Sequence, residues 1–571
     1  MTAAKIDAEL TTAEENSPAI GAILGANPFV SLDTRQIIGM VGEMVTALAA
    51  RPDHVVKTLG QFALEVVRVA TGVSSVEADP GDKRFVDPTW KENPLYRRLL
   101  QSYLAWRTAM SGLVETDANG ASRDWKASAQ HRFAVTLLTE ALAPTNMLIG
   151  NPAALKRAFE TGGQSLVAGA RNFVDDLLHN DGMPAQVDKR PFEVGRNIAV
   201  TPGTVVYRGE LCEVLQYTPA TAQVYERPVV MVPPQINKYY VMDLAPKRSL
   251  VEHAVARGVQ MFAVSWRNPT AANRDWGLDD YVGAANAAID AARDITGSAD
   301  VNLLGVCAGG ITSSLLLGHL AAASERKINS AALLVTMLDS SQPSMAGMFA
   351  TEEKVKAAIA RSQEKGVLDA GSIARMFAWL RPNDLVWHYW VNNYLMGKEP
   401  AAFDILFWNA DSTNLPAKLH AGFLDLMMRN PLASRGTVSV LGTPINLKDV
   451  TCDMYVVAGM TDHICAWRAC HRAARFFGGT TEFVLNSSGH VQTLVCPPDN
   501  PKAKYFINQR LGDDPDRWLE GASEHKGSWW DHWLGWLEKR AGDKRRAPET
   551  PGSGRFPPIE PAPGSYVHQR P

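Results

Sequence analysis

Cysteine is scarce in this chain: Cys212, Cys307, Cys452, Cys465, Cys470 and Cys496 are the six in 571 residues. They follow no regular spacing, which argues against a disulfide framework and for free thiols in a reducing compartment. A basic excess is also lacking. The formal net charge is −3, so the continuous basic face of a nucleic-acid binder is not expected. Long apolar runs are missing: no stretch reaches about eighteen uninterrupted apolar residues, and no transmembrane helix is predicted. The opening "MTAAKIDAELTTAEENSPA" is acidic and carries no signal-peptide pattern, so a cytoplasmic protein is expected. Metal patterns are equally thin. Cys465, Cys470 and His471 fall on a predicted helix with no second ligand pair, which reads as packing rather than as a metal site.

Apolar residues are abundant at 46% against 20% charged, which suits a globular protein with a sizeable core. Residues 1–28 read as a mobile tail. Apolar residues then recur at three- and four-residue steps in "DTRQIIGMVGEMVTALAARP" and "LYRRLLQSYLAWRTAMSGLVE", predicting a helical domain over 29–200, with Pro152 suited to a first helical turn. From about residue 201 the pattern changes. Short apolar strands, among them "VVMV", "MFAVSW", "VNLLGV", "SAALLV", "MYVVAG" and "TEFVLN", alternate with helices, as in parallel βαβ units covered on both faces. This α/β domain is expected to span 201–540. Its alternation breaks at about 340–445 into an aromatic helical insertion, read as a lid with Trp379, Trp387, Trp390 and Trp408 as apolar walls. Residues 541–571 are rich in Pro and Gly and read as an extended tail.

The chemistry centres on "LLGVCAGGIT". A strand-like run ends in Gly305-Val306-Cys307-Ala308-Gly309 and a helix-like run follows, the layout of a nucleophile elbow with sulfur in place of oxygen. Gly309 and Gly310 are read as allowing close helix–strand approach; no G-x-x-x-x-G-K-S/T phosphate loop follows them. Asp462 and His490 each stand just past a later strand. The order nucleophile, acid, histidine is that of the α/β hydrolases, and all three sit where such sheets place reactive groups. His490 is expected to take the thiol proton of Cys307, with Asp462 orienting His490 or assisting a hydroxyl nucleophile. The backbone N–H of Ala308 and one from the loop "VPPQINKYY", assigned to Ile236, are the expected oxyanion donors. His463 is read as a supporting neighbour of Asp462. A thiol that attacks a thioester forms another thioester, so the acyl group stays activated for transfer to an alcohol. That favours an acyltransferase using acyl-CoA over a hydrolase, provided that water is kept out.

Long co-linear stretches, including "DKRFVDPTWKENPLYRRLLQSYLA", "VPPQINKYYVMDLAPKRSLVEHAVARGVQMFAVSWRNP", "LLGVCAGG", "AGMTDHICAW", "SSGHVQTLVCPPDNPKAKYF" and "GSWWDHWLGWL", closely resemble the poly(3-hydroxyalkanoate) synthases. The resemblance implies an α/β-hydrolase catalytic domain with a helical lid insertion, preceded by a mostly helical N-terminal domain. It implies polymerisation of (R)-3-hydroxyacyl-CoA with release of CoA. The family nucleophile falls on Cys307, its acid on Asp462, its histidine on His490 and its active-site tryptophan on Trp408. It further implies a homodimer at the surface of polyester granules, with no cofactor and no metal. The stretch after His490 is most similar to the single-subunit branch, with Val306 and Cys496 as departures. A Cys-dependent thioesterase or polyester depolymerase, and a granule-coating protein with a vestigial site, stay open at this point.

Overall fold

A computed structural model describes residues 48–114, 125–341, 351–434 and 436–571, together with Gly42 and Thr46. The 1–28 tail, and residues 342–350 of the expected insertion, lie outside the described residues. The chain divides into two compact units, one made of Met1–Asp188 and Ser372–Ala401, the other of Lys189–Gly371 and Ala402–Pro571.

The first unit is helical: α1 Pro52–Thr71, α2 Pro94–Val114, α3 Trp125–Ala141, α4 Pro152–Glu160 and α5 Gln164–His179. Local chemistry sets several of its boundaries. Pro152 occupies the first turn of α4, where its missing N–H costs nothing, and the Asn151 side chain caps the same end by accepting from the N–H of Ala154 at 3.0 Å. Gly72 ends α1 in the left-handed conformation. Phe85, Trp90 and Tyr103 form a small aromatic core. Residues 372–401 return to this unit rather than staying with the rest of the expected insertion. Trp387 lies 6.5 Å from Trp379 and 6.0 Å from Trp390, and Tyr394 completes the ladder 5.1 Å from Trp390 and 5.3 Å from Phe173 of α5. Three of the four tryptophans read as lid walls are thus packed with the N-terminal helices.

The second unit is built on one mixed sheet. Its strands are β1 Gly203–Arg208, β2 Cys212–Tyr217, β3 Val229–Val232, β4 Met261–Trp266, β5 Val301–Val306, β6 Ile328–Leu334, β7 Asp453–Gly459, β8 Thr481–Asn486, β9 Lys504–Ile507, β10 Ser523–Lys526 and β11 Glu560–Pro561. In space they run β10-β9-β8-β7-β6-β5-β3-β4-β2-β1-β11. Strands β3 to β8 pair in parallel, and the strands outside them pair antiparallel. Every residue of β2, β3, β4 and β5 is buried. The Val, Leu and Met runs of these strands therefore reflect a sheet covered on both faces, not an amphipathic one. Helices α6 Leu278–Thr296 and α7 Ala308–Ala322 flank β5 in sequence, and α8 His490–Leu494 and α9 Trp529–Glu538 follow β8.

Candidate active site

The site begins where β5 ends. Cys307 follows the strand with φ 51° and ψ −118°, a conformation that costs a non-glycine residue about 1–3 kcal/mol. Neighbours on both sides hold it there. The Cys307 N–H donates to the Leu334 carbonyl of β6 at 2.9 Å, and its own carbonyl accepts from the N–H of Gly310 at 2.9 Å and from Thr336 Oγ1 at 3.3 Å. The turn closes only because the next residues are small. A Cβ on Gly309 would stand 2.2 Å from the Val232 carbonyl oxygen, and one on Gly310 would stand 2.0 Å from Thr336 Oγ1. The expected close approach of helix and strand is therefore the function of both glycines. Ala308 opens α7, whose first N–H groups have no partner within the helix and face the elbow end.

Asp462 lies three residues beyond β7 and His490 opens α8, four residues beyond β8. His490 Nδ1 and Asp462 Oδ2 are 2.7 Å apart, and the other carboxylate oxygen accepts from the N–H groups of Ile464 at 2.8 Å and Cys465 at 2.9 Å. Cys307 and His490 are close enough for each to shift the other's charge. The bonded His490–Asp462 pair is 7% and 8% exposed. Burial opposes a charge on His490, but the negative charges of Asp462 and Cys307, with the hydrogen bonds they accept, outweigh it and push its pKa up to about 10. The Cys307 thiol is held well below its ordinary range. A hydrogen bond from Cys465 is the largest cause, and it acts with the charge of His490 against burial. Both directions favour charge separation between the Cys307 thiol and the His490 imidazole.

His490 is positioned by an element that sequence reasoning left unexplained. In α9, Trp529 and Trp530 are fully buried and donate their indole N–H groups to the carbonyls of Thr493, at 2.8 Å, and Leu494, at 3.3 Å. A helix as short as α8 has no intrahelical partners for these carbonyls, so "GSWW" supplies them. Trp408, 4% exposed, does a similar thing on the other side, donating its indole N–H to the Lys238 carbonyl at 2.8 Å. That carbonyl belongs to the loop after β3. The same loop is tied by Thr413 Oγ1 donating to the Gln235 carbonyl at 2.7 Å and the Thr413 N–H to the Ile236 carbonyl at 3.3 Å. Ile236 is thus tethered, through its carbonyl, on the loop that follows β3. His463 is half-buried in the Asp462 turn.

Cys465 is expected on the helix with Cys470 and His471, and the structure corrects that placement. It is buried just before the helix Trp467–Ala473, in the turn folded around the Asp462 carboxylate, with its sulfur within 4.8 Å of an Asp462 oxygen and a His490 ring nitrogen. The available signal was the spacing: an acid accepting from the N–H two and three residues on turns the third side chain back toward the site. Cys470 and His471 do lie on that helix. His471 is bonded to the Leu511 carbonyl at 2.8 Å, clear of the Cys307 contacts. Ligand atoms of Asp462, Cys465 and His490 fall within 4.8 Å of one another, but the carboxylate and imidazole are already bonded to each other.

Comparison with known proteins places these residues in context. The family described as poly-beta-hydroxybutyrate polymerase (PhaC) N-terminus matches residues 81–254, and the alpha/beta hydrolase fold matches residues 228–495. The chain is 46% identical to poly(3-hydroxyalkanoate) polymerase 1 of Ectopseudomonas oleovorans over 96% of its own length and 97% of that protein. It is 40% identical to the poly(3-hydroxyalkanoate) polymerase subunit PhaC of Cupriavidus necator over 87% of this chain and 85% of that one. Identity with the poly(3-hydroxyalkanoate) polymerase of Methylorubrum extorquens is 38%, covering 87% and 82% of the two chains.

Proposed function

This chain belongs to the poly(3-hydroxyalkanoate) polymerases, and on that premise we propose that it joins (R)-3-hydroxyacyl units from CoA thioesters into a polyester through an acyl thioester on Cys307. The observation that carries the reading is the elbow Cys307 at the end of β5 beside the bonded His490–Asp462 pair at the ends of β8 and β7. The Cys307 thiolate attacks the thioester carbonyl of the substrate. The developing oxyanion accepts from the N–H of Ala308 and from the β3 loop, for which Ile236 is the candidate. Collapse expels the CoA sulfur, which takes the proton from His490, and leaves the hydroxyacyl group on Cys307. His490, now neutral, accepts the proton of a 3-hydroxyl as that oxygen attacks an acyl carbonyl on Cys307. An ester forms and Cys307 leaves as thiolate. Asp462 keeps the imidazole in place throughout. The thioester supplies the activation, so the reaction as written uses no cofactor and no metal.

A sulfur nucleophile suits this task because each thioester exchange is close to thermoneutral, so the acyl group is not committed to water. Action as a homodimer at a polyester granule surface and a cytoplasmic location belong to the same proposal. Among the described residues no helix is long and apolar enough to cross a membrane.

The test is direct. Purified protein receives (R)-3-hydroxybutyryl-CoA or (R)-3-hydroxyoctanoyl-CoA, and CoA release and insoluble polyester are both measured. Polymer from either substrate, abolished in Cys307→Ala, is the expected result, and the two rates rank monomer length. CoA release with free acid and no polymer would favour a thioesterase or depolymerase. CoA release undiminished in Cys307→Ala would remove the nucleophile from the account.

A further inference from the structure

Of the two oxyanion donors, the N–H of Ala308 is set by the start of α7, while the other has to be aimed by a loop. We propose that Thr413 is a positioning residue for the reaction: its hydroxyl holds the Gln235–Ile236 peptide so that the Ile236 N–H faces the developing oxyanion. This rests on the reading of the β3 loop as the source of the second donor, and it names the residue that aims that donor.

Three observations support the assignment. The first is the geometry of one peptide bond. The N–H of Ile236 and the carbonyl of Gln235 belong to the same planar unit, and in a trans peptide they point in opposite directions. The buried Thr413 hydroxyl donates to that carbonyl at 2.7 Å. Gripping the carbonyl therefore turns the N–H away from Thr413. The Thr413 N–H donates to the Ile236 carbonyl at 3.3 Å and steadies the next peptide too. Among the described residues the Ile236 N–H meets no acceptor, as a donor reserved for an oxyanion requires.

The second observation is that Thr413 is itself pinned on both sides in sequence. Before it, the Asp411 carboxylate accepts from Lys238 Nζ at 2.8 Å and from the Tyr240 hydroxyl at 2.7 Å. After it, the Asn414 N–H donates to Asn268 Oδ1 at 2.9 Å, and the Asn414 side-chain amide donates to the Pro269 carbonyl at 3.1 Å. The third is that the loop abuts the elbow. The Val232 and Pro233 carbonyls lie where a Cβ on Gly309 would stand, and the Gln235 side-chain amide donates to Thr312 Oγ1 of α7 at 2.9 Å. Gln235 is thus gripped by α7 through its side chain and by Thr413 through its main chain. An oxyanion exists only as the thioester carbonyl is attacked, so this aim acts on the rate of acylation and not on substrate binding. Attack of the same sulfur on an alkyl halide develops no oxyanion and has no use for the donor.

The experiment uses the full chain with Thr413→Val, Thr413→Ala and Thr413→Ser, and with Ile236→Pro, which lacks the N–H. CoA release from (R)-3-hydroxybutyryl-CoA gives kcat and KM. Alkylation of Cys307 by iodoacetamide is followed against pH by mass spectrometry of the Cys307 peptide, with thermal unfolding of each variant recorded alongside. Thr413→Val and Thr413→Ala are expected to lower kcat about tenfold with KM within about twofold of wild type, short of the roughly hundredfold loss expected of Ile236→Pro. Their alkylation profiles are expected to superimpose on wild type. Thr413→Ser, whose hydroxyl donates from the same place, is expected to keep most of the wild-type kcat. Wild-type kcat in the valine and alanine variants would overturn the proposal. So would a serine kcat as low as the valine one, or alkylation slowed as much as CoA release, which would make the hydroxyl a support of the whole site. Should the valine variant not fold, the alanine and serine variants decide alone. Undiminished CoA release in Ile236→Pro would show that the loop is not the donor, a failure of the premise that is distinct from a silent Thr413 beside a damaged Ile236→Pro.

Discussion

At the scale of single residues, the site is governed by where one proton rests. Burial opposes a proton on His490, but the charges of Asp462 and Cys307 outweigh it and push its pKa up to about 10 from an ordinary 6.5. Cys307 is drawn down from an ordinary 9.0 by the Cys465 hydrogen bond and by His490. The signs follow. The contribution of protonated His490 is complete below pH 6.5 and is lost as pH rises through about 10. The contribution of ionised Cys307 is complete above pH 9.0 and is lost as pH falls through its depressed value. The kcat/KM for CoA release is therefore expected to show a broad plateau, with an alkaline limb near pH 10 and an acid limb well below the ordinary thiol titration. In His490→Gln the alkylation profile of Cys307 should move up toward the ordinary thiol range. An acid limb left unmoved by that substitution would show that His490 does not set the charge on sulfur. The order of nucleophile, acid and histidine could be read from sequence because each follows a strongly apolar strand. The place of Cys465 could not, because it is set by a turn around a carboxylate, and in sequence that turn looks like the start of a helix.

At the scale of elements, helix α7 must start almost in contact with β3 and β6. The two glycines after Cys307 meet different obstacles, which gives a graded prediction. In Gly309→Ala the new Cβ would be 2.2 Å from the Val232 carbonyl and 2.4 Å from that of Pro233, both backbone atoms at the end of β3 and in its loop. In Gly310→Ala it would meet only side-chain atoms of Thr336, 2.0 Å from Oγ1 and 2.9 Å from Cβ, so that residue must shift and give up its bond to the Cys307 carbonyl. Gly309→Ala is expected to lose about 3 kcal/mol, at the top of the overpacking range, and Gly310→Ala about 1 kcal/mol. Chemical denaturation checks the order, and equal losses would mean that the helix shifts freely. The opposite side of the site depends on α9. Trp529→Phe keeps the ring but deletes the donor to the Thr493 carbonyl, and a loss of about 1 kcal/mol is expected, seen as a roughly fivefold lower kcat with the fold intact. The parallel strands were visible in sequence as runs of Val, Leu and Met. Strand β10 was not, because Ser523, Glu524, His525 and Lys526 are all exposed and carry no hydrophobic pattern. A polar strand at a sheet edge is what guards that edge against pairing with another chain.

At the scale of the whole molecule, the other sheet edge is guarded by the chain's own last residues. The Pro- and Gly-rich segment read as an extended tail is extended, but it is docked. Thr204 and Val205 of β1 pair with Pro561 and Glu560 of β11, and Ile559 and Ala562 donate to the carbonyls of Val205 and Gly203. Docking serves a buried charge as well. Glu213 of β2 has no exposed surface, and its carboxylate accepts from Arg208 Nε at 2.7 Å and from the N–H groups of Ser565 at 3.1 Å and Tyr566 at 3.0 Å. Neither partner set was visible in sequence, since the contacts span about 350 residues and use backbone N–H groups that no side-chain pattern encodes. Deleting residues after Ile559 would remove two of those three donors and uncover β1. A loss of about 3 kcal/mol is expected from the charged hydrogen bonds alone, together with concentration-dependent self-association from the bared edge. The two causes separate in a double-mutant cycle. Glu213→Gln removes the charge to which the tail's N–H groups donate, so truncation should cost clearly less in the glutamine background than in wild type, while the self-association should persist in both. If truncation costs the same in both backgrounds, the Glu213 carboxylate is not what the tail stabilises, and edge pairing alone accounts for its docking.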